Sequence, residues 1–160
     1  GLVGSEMCIR DSYSIRANAF DYEKMAMGRE RLEYYINDYK AKKADGTISN
    51  VEDDELKDMR IVQEMYARGF EFVPIDIYKA KARSFQIIDG KIMPSFKVIS
   101  KVGESAGESI EIAARDGEFL SKDDLRQRAR IGQTVIEKLG ELGLLDGMAE
   151  SNQLSLFDVI

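Results

Sequence analysis

The chain has 160 residues, of which 44% are hydrophobic and 32% charged, and its formal net charge is −6. Zero histidines and a single cysteine exclude a disulfide within the chain, a histidine or Cys/His metal site, and a nucleophile activated by histidine. The acidic balance excludes a polycation that binds nucleic acid with its whole surface. No apolar run approaches the ~20 residues that cross a bilayer, so we expect a globular protein of the cytoplasm with no membrane partner.

The first dozen residues form a segment of their own. The run Met7-Cys-Ile-Arg-Asp-Ser12 can be back-translated to codons that resemble a transposon mosaic-end sequence used for sequencing libraries. We therefore expect residues 1–12 to be a non-native leader, to be left out of fold reasoning; a short natural leader is the alternative. On the first interpretation the native chain was cut just before Tyr13 and belongs to something longer.

The next part of the chain shows the periodicity of helices. Apolar side chains recur at steps of three and four from Met25 to Tyr39, and Asp21 is the expected N-cap. The polar run 40–50, with the turn pair Asp45-Gly46, predicts a loop after this pattern.

A second helix is predicted to follow, with Gly69 just beyond its end. Its acidic run Asp53-Asp54-Glu55 has two interpretations, a metal site or a helix start exposed to solvent. Acidic residues favour the first turn of a helix, so we favour the second interpretation. The apolar face of this helix is expected to consist of Leu56, Met59, Val62 and Tyr66.

In the middle of the chain the period changes to two. Alternating apolar residues on both sides of Pro74 predict an edge strand over 70–77. The pair Asp89-Gly90, between 84–88 and 91–93, is a strong signal for a short β-hairpin. A mainly helical chain with a small β element has an α+β fold.

The segment from Tyr78 to Lys101 has a local excess of five positive charges. Lysines that protect edge strands from aggregation would explain this excess, and so would a surface that faces phosphates. The pattern leaves both interpretations open. The basic residues are Lys79, Lys81, Arg83, Lys91, Lys97 and Lys101.

Three short helices are predicted in the last part of the chain. They cover 105–115, a stretch that begins with the capping-box-like run Ser121-Lys-Asp-Asp124, and 132–142. A turn that contains Gly103 leads into the first of them. The unpaired amides and positive dipole end of a helix N-terminus suit a backbone phosphate without reading its base, although many loops contain a glycine.

The sequence holds no motif for catalysis. Two-metal nucleotidyl transfer needs carboxylates that project together, often as Asp-x-Asp, and no Asp-x-Asp occurs. A Walker phosphate loop and a Gly-x-Gly-x-x-Gly fingerprint are also missing. We therefore expect no catalytic residue, no metal ligand and no cofactor in this chain, which taken alone is not expected to be an enzyme.

Several longer runs point to one family. They are Ile15-Arg-Ala-Asn-Ala-Phe-Asp21, Met65-Tyr-Ala-Arg-Gly-Phe-Glu-Phe72, Asp76-Ile-Tyr-Lys79, Asp116-Gly-Glu-Phe-Leu-Ser-Lys-Asp-Asp-Leu125 and Asn152-Gln-Leu-Ser-Leu-Phe157. Together they resemble the C-terminal region of the bacterial DNA polymerase III alpha subunit, of the PolC type found in Gram-positive bacteria. The resemblance covers nearly everything from Tyr13 to Phe157.

The resemblance implies three functional regions. These are a helical end of the fingers region over 13–69, a small β element with a helix-hairpin-helix DNA-binding module over 70–148, and a flexible clamp-binding tail over 149–160. In that family the module holds duplex DNA behind the active site. The polymerase carboxylates with their Mg²⁺, and the proofreading exonuclease, lie upstream of anything present in this chain.

One position departs from the family pattern. The family hairpin reads Gly-hydrophobic-Gly, whereas this chain has Lys101-Val102-Gly103. The departure removes the first glycine of a phosphate nest built from backbone alone, and Lys101 would offer a side-chain contact instead.

The arginines at 126, 128 and 130 also suggest a contact with nucleic acid. Steps of two residues turn by about 200° on a helix, so Arg126 and Arg130 can share a face that Arg128 cannot. A solvated helix flank is the alternative. The predicted contacts with the DNA backbone are Lys101, Gly103, Arg115, Arg126 and Arg130.

The last run resembles the bacterial clamp-binding pentapeptide. Leu156 and Phe157 would fill an apolar pocket, while Gln153 would hydrogen-bond at its rim. Leu154 would add a flanking contact, and Ser155 should matter least. The alternative is that the apolar side chains pack on the chain's own core.

Two functions from different classes follow. The first is a part of a replicative DNA polymerase that binds duplex DNA without sequence preference, docks on a sliding clamp and contacts the remainder of the polymerase chain. The second is a non-catalytic helical adaptor for protein contacts, without DNA binding. The net charge of −6 favours the adaptor slightly, whereas the basic segment, the resemblance and the pentapeptide favour the polymerase. The reading frame upstream of Tyr13 would discriminate between them.

Overall fold

A computed structural model of the chain describes residues 20–151. Within that range it contains six α-helices, one 3₁₀ helix and a two-stranded antiparallel sheet, which confirms a mainly helical fold with a small β element. The described residues form two compact units, one of 20–74 with 85–94 and one of 75–84 with 95–151. The functional boundaries predicted after residues 69 and 148 stay predictions.

The first unit begins with three helices, α1 (Tyr22–Met25), α2 (Arg29–Asp45) and α3 (Asn50–Ala67). The side chain of Asp21 accepts the backbone N–H of Lys24 at 3.1 Å and is an N-cap, as predicted. The helical pattern predicted from Asp21 to Tyr39 is divided into two helices, because α1 ends at Met25 and Gly28, with φ +107°, precedes α2.

Most of the polar run 40–50 is helical, contrary to the predicted loop. Helix α2 continues to Asp45 and α3 begins at Asn50, so only four residues connect them. Alanine and lysine are strong helix formers, and Lys42 pairs with Asp38 one turn earlier at 3.6 Å. Local helix propensity therefore outweighs the polar composition of this run.

The predicted apolar face of α3 forms most of the core against α2. Met65 completes that face, while Tyr66 is half-buried and donates its hydroxyl to the carbonyl of Met25 at 2.8 Å. Gly69 follows the C-cap with φ +91°, as predicted. The largest fully buried side chains of these helices are Met25, Leu32, Ile36, Leu56, Met59 and Val62.

The β-hairpin is confirmed as strands β1 (Gln86–Ile88) and β2 (Lys91–Met93), paired antiparallel. Asp89 and Gly90 both have positive φ, 52° and 79°, as the two-residue hairpin turn with mirror-image geometry requires.

The edge strand predicted over 70–77 is reduced to a single bridge between Phe72 and Ile92. The chain leaves the sheet at Pro74, which has no N–H to donate. Ile75 and Ile77 are nevertheless buried, so their alternation reflects core packing without a strand.

The second unit contains the 3₁₀ helix Phe96–Val98 and the helices α4 (Gly103–Ala114), α5 (Lys122–Ala129) and α6 (Gln133–Glu141). Helix α4 packs against the 3₁₀ helix and α5, and α5 packs against α6. None of the helices within residues 20–151 is long and apolar enough to span a bilayer. The core of this unit includes the fully buried side chains of Phe96, Ile99, Ile110, Leu125 and Leu139.

Gly107 sets the distance between α4 and the 3₁₀ helix. A Cβ atom at this position would lie 2.7 Å from Cβ of Phe96 and 3.5 Å from Cα of Ala82. Because neither atom is the end of a flexible side chain, the two elements can lie this close only with a glycine here.

Candidate nucleic-acid interface

The turn between the 3₁₀ helix and α4 forms the first hairpin, Lys101-Val102-Gly103. Lys101 and Gly103 have positive φ, 71° and 72°, and Val102 between them is right-handed at φ −82° and ψ −55°. Such alternation of backbone hand can form a concavity of N–H groups that suits an anion, although the N–H of Val102 already donates to the carbonyl of Ile99 at 3.3 Å. Val102 is buried, whereas Lys101 and Gly103 are exposed at the start of α4.

Lys101 occupies the position where the resembled family has a glycine, and it keeps a backbone conformation that favours glycine. A non-glycine residue in this region costs about 1–3 kcal/mol and persists only where its surroundings impose it. The surroundings here are the buried side chains of Val98, Ile99 and Val102 on both sides of the turn. Lys101 therefore has a backbone conformation that glycine adopts readily, and it adds a cationic side chain to the hairpin.

A second hairpin with a similar pattern connects α5 and α6, at Arg130-Ile131-Gly132. Arg130 caps α5 in the left-handed conformation, with φ 54° and ψ 45°, and its N–H donates to the carbonyl of Arg126. Ile131 is buried and Gly132 is the N-cap of α6. Each hairpin thus presents an exposed cation with positive φ, a buried aliphatic residue and a glycine at a helix start, although Gly132 has a negative φ.

Arg130 is not on the helix face that the four-residue spacing suggested. Helix α5 ends at Ala129, and Arg130 lies in the turn that follows. Its candidacy as a DNA contact now depends on the second hairpin, while Arg126 lies in the last turn of α5.

The structure does not bring Arg115 together with the first hairpin. Arg115 is the C-cap of α4, at the opposite end from Gly103, and a helix of 12 residues is about 18 Å long. Arg115 also pairs with Glu111 at 3.6 Å. Among the described residues, none forms an ion pair or hydrogen bond with the side chains of Lys101, Arg126 or Arg130, and all three are exposed.

Much of the positive charge between Tyr78 and Lys101 is compensated by glutamates outside that segment. Arg83 contacts Glu104, at 2.6 Å, and Glu108, both on α4, and Lys97 lies 3.4 Å from Glu104. Lys91 on β2 pairs with Glu71 at 3.1 Å. Three of the six cations in this segment, Arg83, Lys91 and Lys97, are therefore paired with glutamates.

Sequence reasoning missed the part that Arg128 plays. Its guanidinium lies over the ring of Phe119, 4.6 Å from the ring centre, and donates to backbone carbonyls at the end of α4 and in the connection to α5. The pattern only separated Arg128 from the face of Arg126. It gave no signal for this role because the carbonyls belong to residues 10 to 15 positions earlier in the chain.

The acidic run at the start of α3 faces lysines. Asp53 lies 3.0 Å from Lys43, whose hydrogen bond keeps the pKa of that carboxyl below its usual value. Glu55 is not solvated as predicted, because its largely buried carboxylate binds Lys24 at 2.9 Å. Within residues 20–151, no group of three or more acidic or cysteine side chains could hold a metal ion.

Two of the predicted regions lie outside the described residues. They are the leader 1–12 and the clamp-binding pentapeptide, Gln153, Leu154, Ser155, Leu156 and Phe157.

Comparison with known proteins identifies a family that matches the region containing both hairpins. The helix-hairpin-helix motif family matches residues 69–154. The "DNA polymerase III PolC-type" proteins of Streptococcus suis (strain 98HAH33) and Streptococcus pneumoniae serotype 2 (strain D39 / NCTC 7466) are 41% and 40% identical to the chain over 146 residues. The PolC-type protein of Streptococcus thermophilus (strain ATCC BAA-491 / LMD-9) is 39% identical over the same length.

These alignments cover 91% of the chain but only 10% of each relative. The chain thus spans about a tenth of the length of the curated relatives it matches. The predicted relationship to the PolC-type DNA polymerase III is confirmed, and the chain belongs to the helix-hairpin-helix motif family.

Proposed function

We propose that the chain binds the backbone of duplex DNA without sequence preference, as one part of a replicative DNA polymerase. The observation that carries this proposal is the first hairpin, in which Lys101 keeps the positive φ of a glycine next to an exposed helix start. Backbone N–H groups and a lysine ammonium recognise phosphate oxygens and read no base. Such contacts suit a protein that must accept every sequence.

The second hairpin supports a second phosphate contact on the same unit. Arg130 and Arg126 are exposed and have no partner among the described residues, so their guanidinium groups can bind phosphate at no cost of a broken ion pair. Arg115 is a weaker candidate because Glu111 already pairs with it.

Charge-matched variants test this proposal. Lys101→Gln and Arg130→Gln each remove one charge and keep a long side chain, and each should weaken binding to a labelled random duplex about fivefold at low salt. Lys40→Gln and Arg60→Gln remove the same charges from exposed positions on α2 and α3 and should leave the affinity within about twofold. Fluorescence anisotropy measures all four.

Equal losses in all four variants would mean that only total charge matters, and the hairpins would not be the site. A parent chain that binds no duplex at low salt would favour the alternative function, a helical adaptor for protein contacts.

We also propose that Gln153–Phe157 docks on a bacterial sliding clamp. The motivation is the sequence of this run, with two apolar anchors at Leu156 and Phe157 and a hydrogen-bonding side chain at Gln153. Affinity should be modest because a short peptide becomes ordered as it binds. Tethering would still raise processivity, because a held polymerase rebinds its template at high effective concentration.

Replacement of both Leu156 and Phe157 by alanine should abolish clamp binding and leave the melting temperature almost unchanged. Ser155→Ala is the matched control and should bind nearly as the parent does. Surface plasmon resonance on immobilised clamp, with thermal unfolding in parallel, measures both properties. A parent chain without clamp affinity, together with a large fall in melting temperature on replacement, would contradict docking and indicate that these side chains pack on the core.

Polymerisation and the Mg²⁺ that it uses lie outside this chain in our proposal. Two-metal transfer needs a pair of projecting carboxylates, and the sequence contains no Asp-x-Asp. We place the chain in the cytoplasm with the remainder of the polymerase.

A further inference from the structure

The guanidinium group of Arg128 is almost fully used by protein contacts. Nη1 donates to the carbonyl of Glu118 at 2.9 Å and lies 3.3 Å from the carboxylate of Asp124. Nη2 donates to the carbonyls of Ala113 and Gly117 at 2.8 and 3.1 Å. The side chain is only 25% exposed, so few donors remain for a phosphate.

The contacts of Arg128 link the two hairpins through the helices that carry them. Helix α4 begins at the first hairpin, and its C-terminal carbonyl of Ala113 binds Arg128. Arg128 itself lies on α5, whose end is the second hairpin. Phe119, which lies under the guanidinium, stacks on Tyr78 with ring centres 5.6 Å apart and is buried.

A cation at the end of α4 also interacts favourably with the helix dipole, and only arginine has the planar fork that reaches several carbonyls while it stacks on a ring. A lysine would keep the charge and lose this geometry. The interaction is thus specific for arginine for reasons that do not involve a ligand.

We propose that Arg128 is a positioning residue that holds the two hairpins at a fixed separation, so that both engage one duplex at the same time. This inference rests on the proposed DNA binding. It gives two arginines of α5 different roles. Arg126 contacts the DNA backbone, and Arg128 fixes the separation of the two hairpins.

Binding to a labelled duplex of about 20 base pairs, two helical turns, tests the assignment in the 160-residue chain. Arg128→Lys should weaken binding about tenfold although the charge is unchanged, because hairpins that move independently lose their mutual effective concentration. Arg60→Lys, at an exposed position on α3 outside the proposed site, is the matched control and should bind within about twofold of the parent.

The decisive measurement is how much affinity a change in the first hairpin removes when Arg128 is present and when it is replaced. In the parent, Lys101→Gln should lower the affinity for duplex DNA about fivefold. In the Arg128→Lys background it should lower the affinity by less than about twofold, because a chain that binds through one hairpin at a time can still bind through the second. A general loss of stability would not change the effect of Lys101→Gln in this way.

Phe119→Leu tests the same inference without a change in charge. It removes the ring beneath the guanidinium and keeps an apolar side chain, and it should weaken binding about threefold with the same loss of dependence between the hairpins. It carries the test if circular dichroism shows that Arg128→Lys does not fold.

The failure of this inference differs from the failure of the proposed function. If the parent binds no duplex, the proposed function is wrong. If the parent binds and Arg128→Lys binds equally well, or Lys101→Gln has the same effect in both backgrounds, Arg128 does not position the hairpins.

Discussion

The backbone conformation of Lys101 is unfavourable for stability, whereas its side chain is a candidate phosphate contact. Its φ of +71° is unfavourable for any residue with a Cβ, while its exposed ammonium stands at the start of α4. This conformation lowers stability, and on the proposed function the side chain contributes a phosphate contact.

Lys101→Gly should therefore raise the free energy of unfolding by about 0.5–1 kcal/mol, the relief of the left-handed strain less the added entropy of the unfolded chain. The same variant should bind duplex DNA more weakly than the parent. Urea unfolding and anisotropy measure the two effects. Lys40→Gly, inside α2, should instead lose about 1 kcal/mol, and a similar loss at Lys101 would show that its backbone is not strained.

At this scale, sequence reasoning worked where the chemistry is local. Asp21 and Ser121 accept N–H groups three residues ahead, at 3.1 and 3.0 Å, and both caps follow from a few neighbouring residues. The positive φ of Lys101 could not be predicted, since it is imposed by the packing of residues around it. The contacts of Arg128 depend in the same way on two helices meeting.

Among the elements, α4 shows how one missing side chain decides a helix contact. Gly107→Ala should destabilise the chain by about 1–3 kcal/mol, because the added Cβ would lie 2.7 Å from Cβ of Phe96 and one of the two elements must shift. Gly140→Ala, in α6, is the matched control. Nothing lies within 4 Å of a Cβ there, so alanine should raise stability by about 0.5–1 kcal/mol. A stabilising Gly107→Ala, measured by urea unfolding, would contradict the close approach of α4 and the 3₁₀ helix.

The first three helices are joined by a cluster of polar side chains. Lys24 on α1 binds Tyr39 on α2 and Glu55 on α3, each at 2.9 Å, and the hydroxyl of Tyr39 donates to Glu55. Burial alone would lower the pKa of Lys24, but its hydrogen bonds with Tyr39 and Glu55 outweigh burial and raise it. Burial, together with Glu55, also raises the pKa of Tyr39.

Both raised pKa values predict the same loss of stability in alkali. The contribution of each group is present below its unfolded pKa, about 10, and is lost as the pH rises through the higher folded value. Lys24→Met should cost about 1–2 kcal/mol at neutral pH and should flatten the fall in stability above about pH 10. Urea unfolding at a series of alkaline pH values measures this. An equally steep fall in the stability of Lys24→Met would show that the cluster does not govern alkaline stability. The control is Tyr34→Phe, at an exposed position on α2, which should leave the stability at neutral pH unchanged.

The sequence predicted which helices and strands form better than it predicted where they begin and end. The hairpin, α3 and the three helices of the second unit are all where periodicity and turn residues placed them, with α4 starting two residues early. The loop over 40–50 and the edge strand over 70–77 failed for the same reason. Polarity and alternation are average properties, whereas helix propensity at Lys42 and the missing N–H of Pro74 act on individual hydrogen bonds.

At the scale of the whole molecule, charge limits what kind of DNA binding is possible. The net charge is −6, and glutamates compensate Arg83, Lys91 and Lys97. Sequence alone presented these cations as a group because their partners, on α4 and at Glu71, lie outside the segment from Tyr78 to Lys101. On the proposed function, we expect binding to come from a few local contacts at the hairpins.

The salt dependence of binding measures how many contacts there are. Each phosphate neutralised on duplex DNA adds about 0.9 to the slope of log K against log salt, so contacts from Lys101, Arg126 and Arg130 predict a slope of about −2 to −4. Arg130→Gln should reduce the slope by about 0.9, whereas Lys40→Gln on α2 should leave it unchanged. Anisotropy titrations over a range of KCl concentrations give both values. A slope near −6 or steeper would require twice as many contacts as the hairpins offer, and the binding surface would then extend well beyond them.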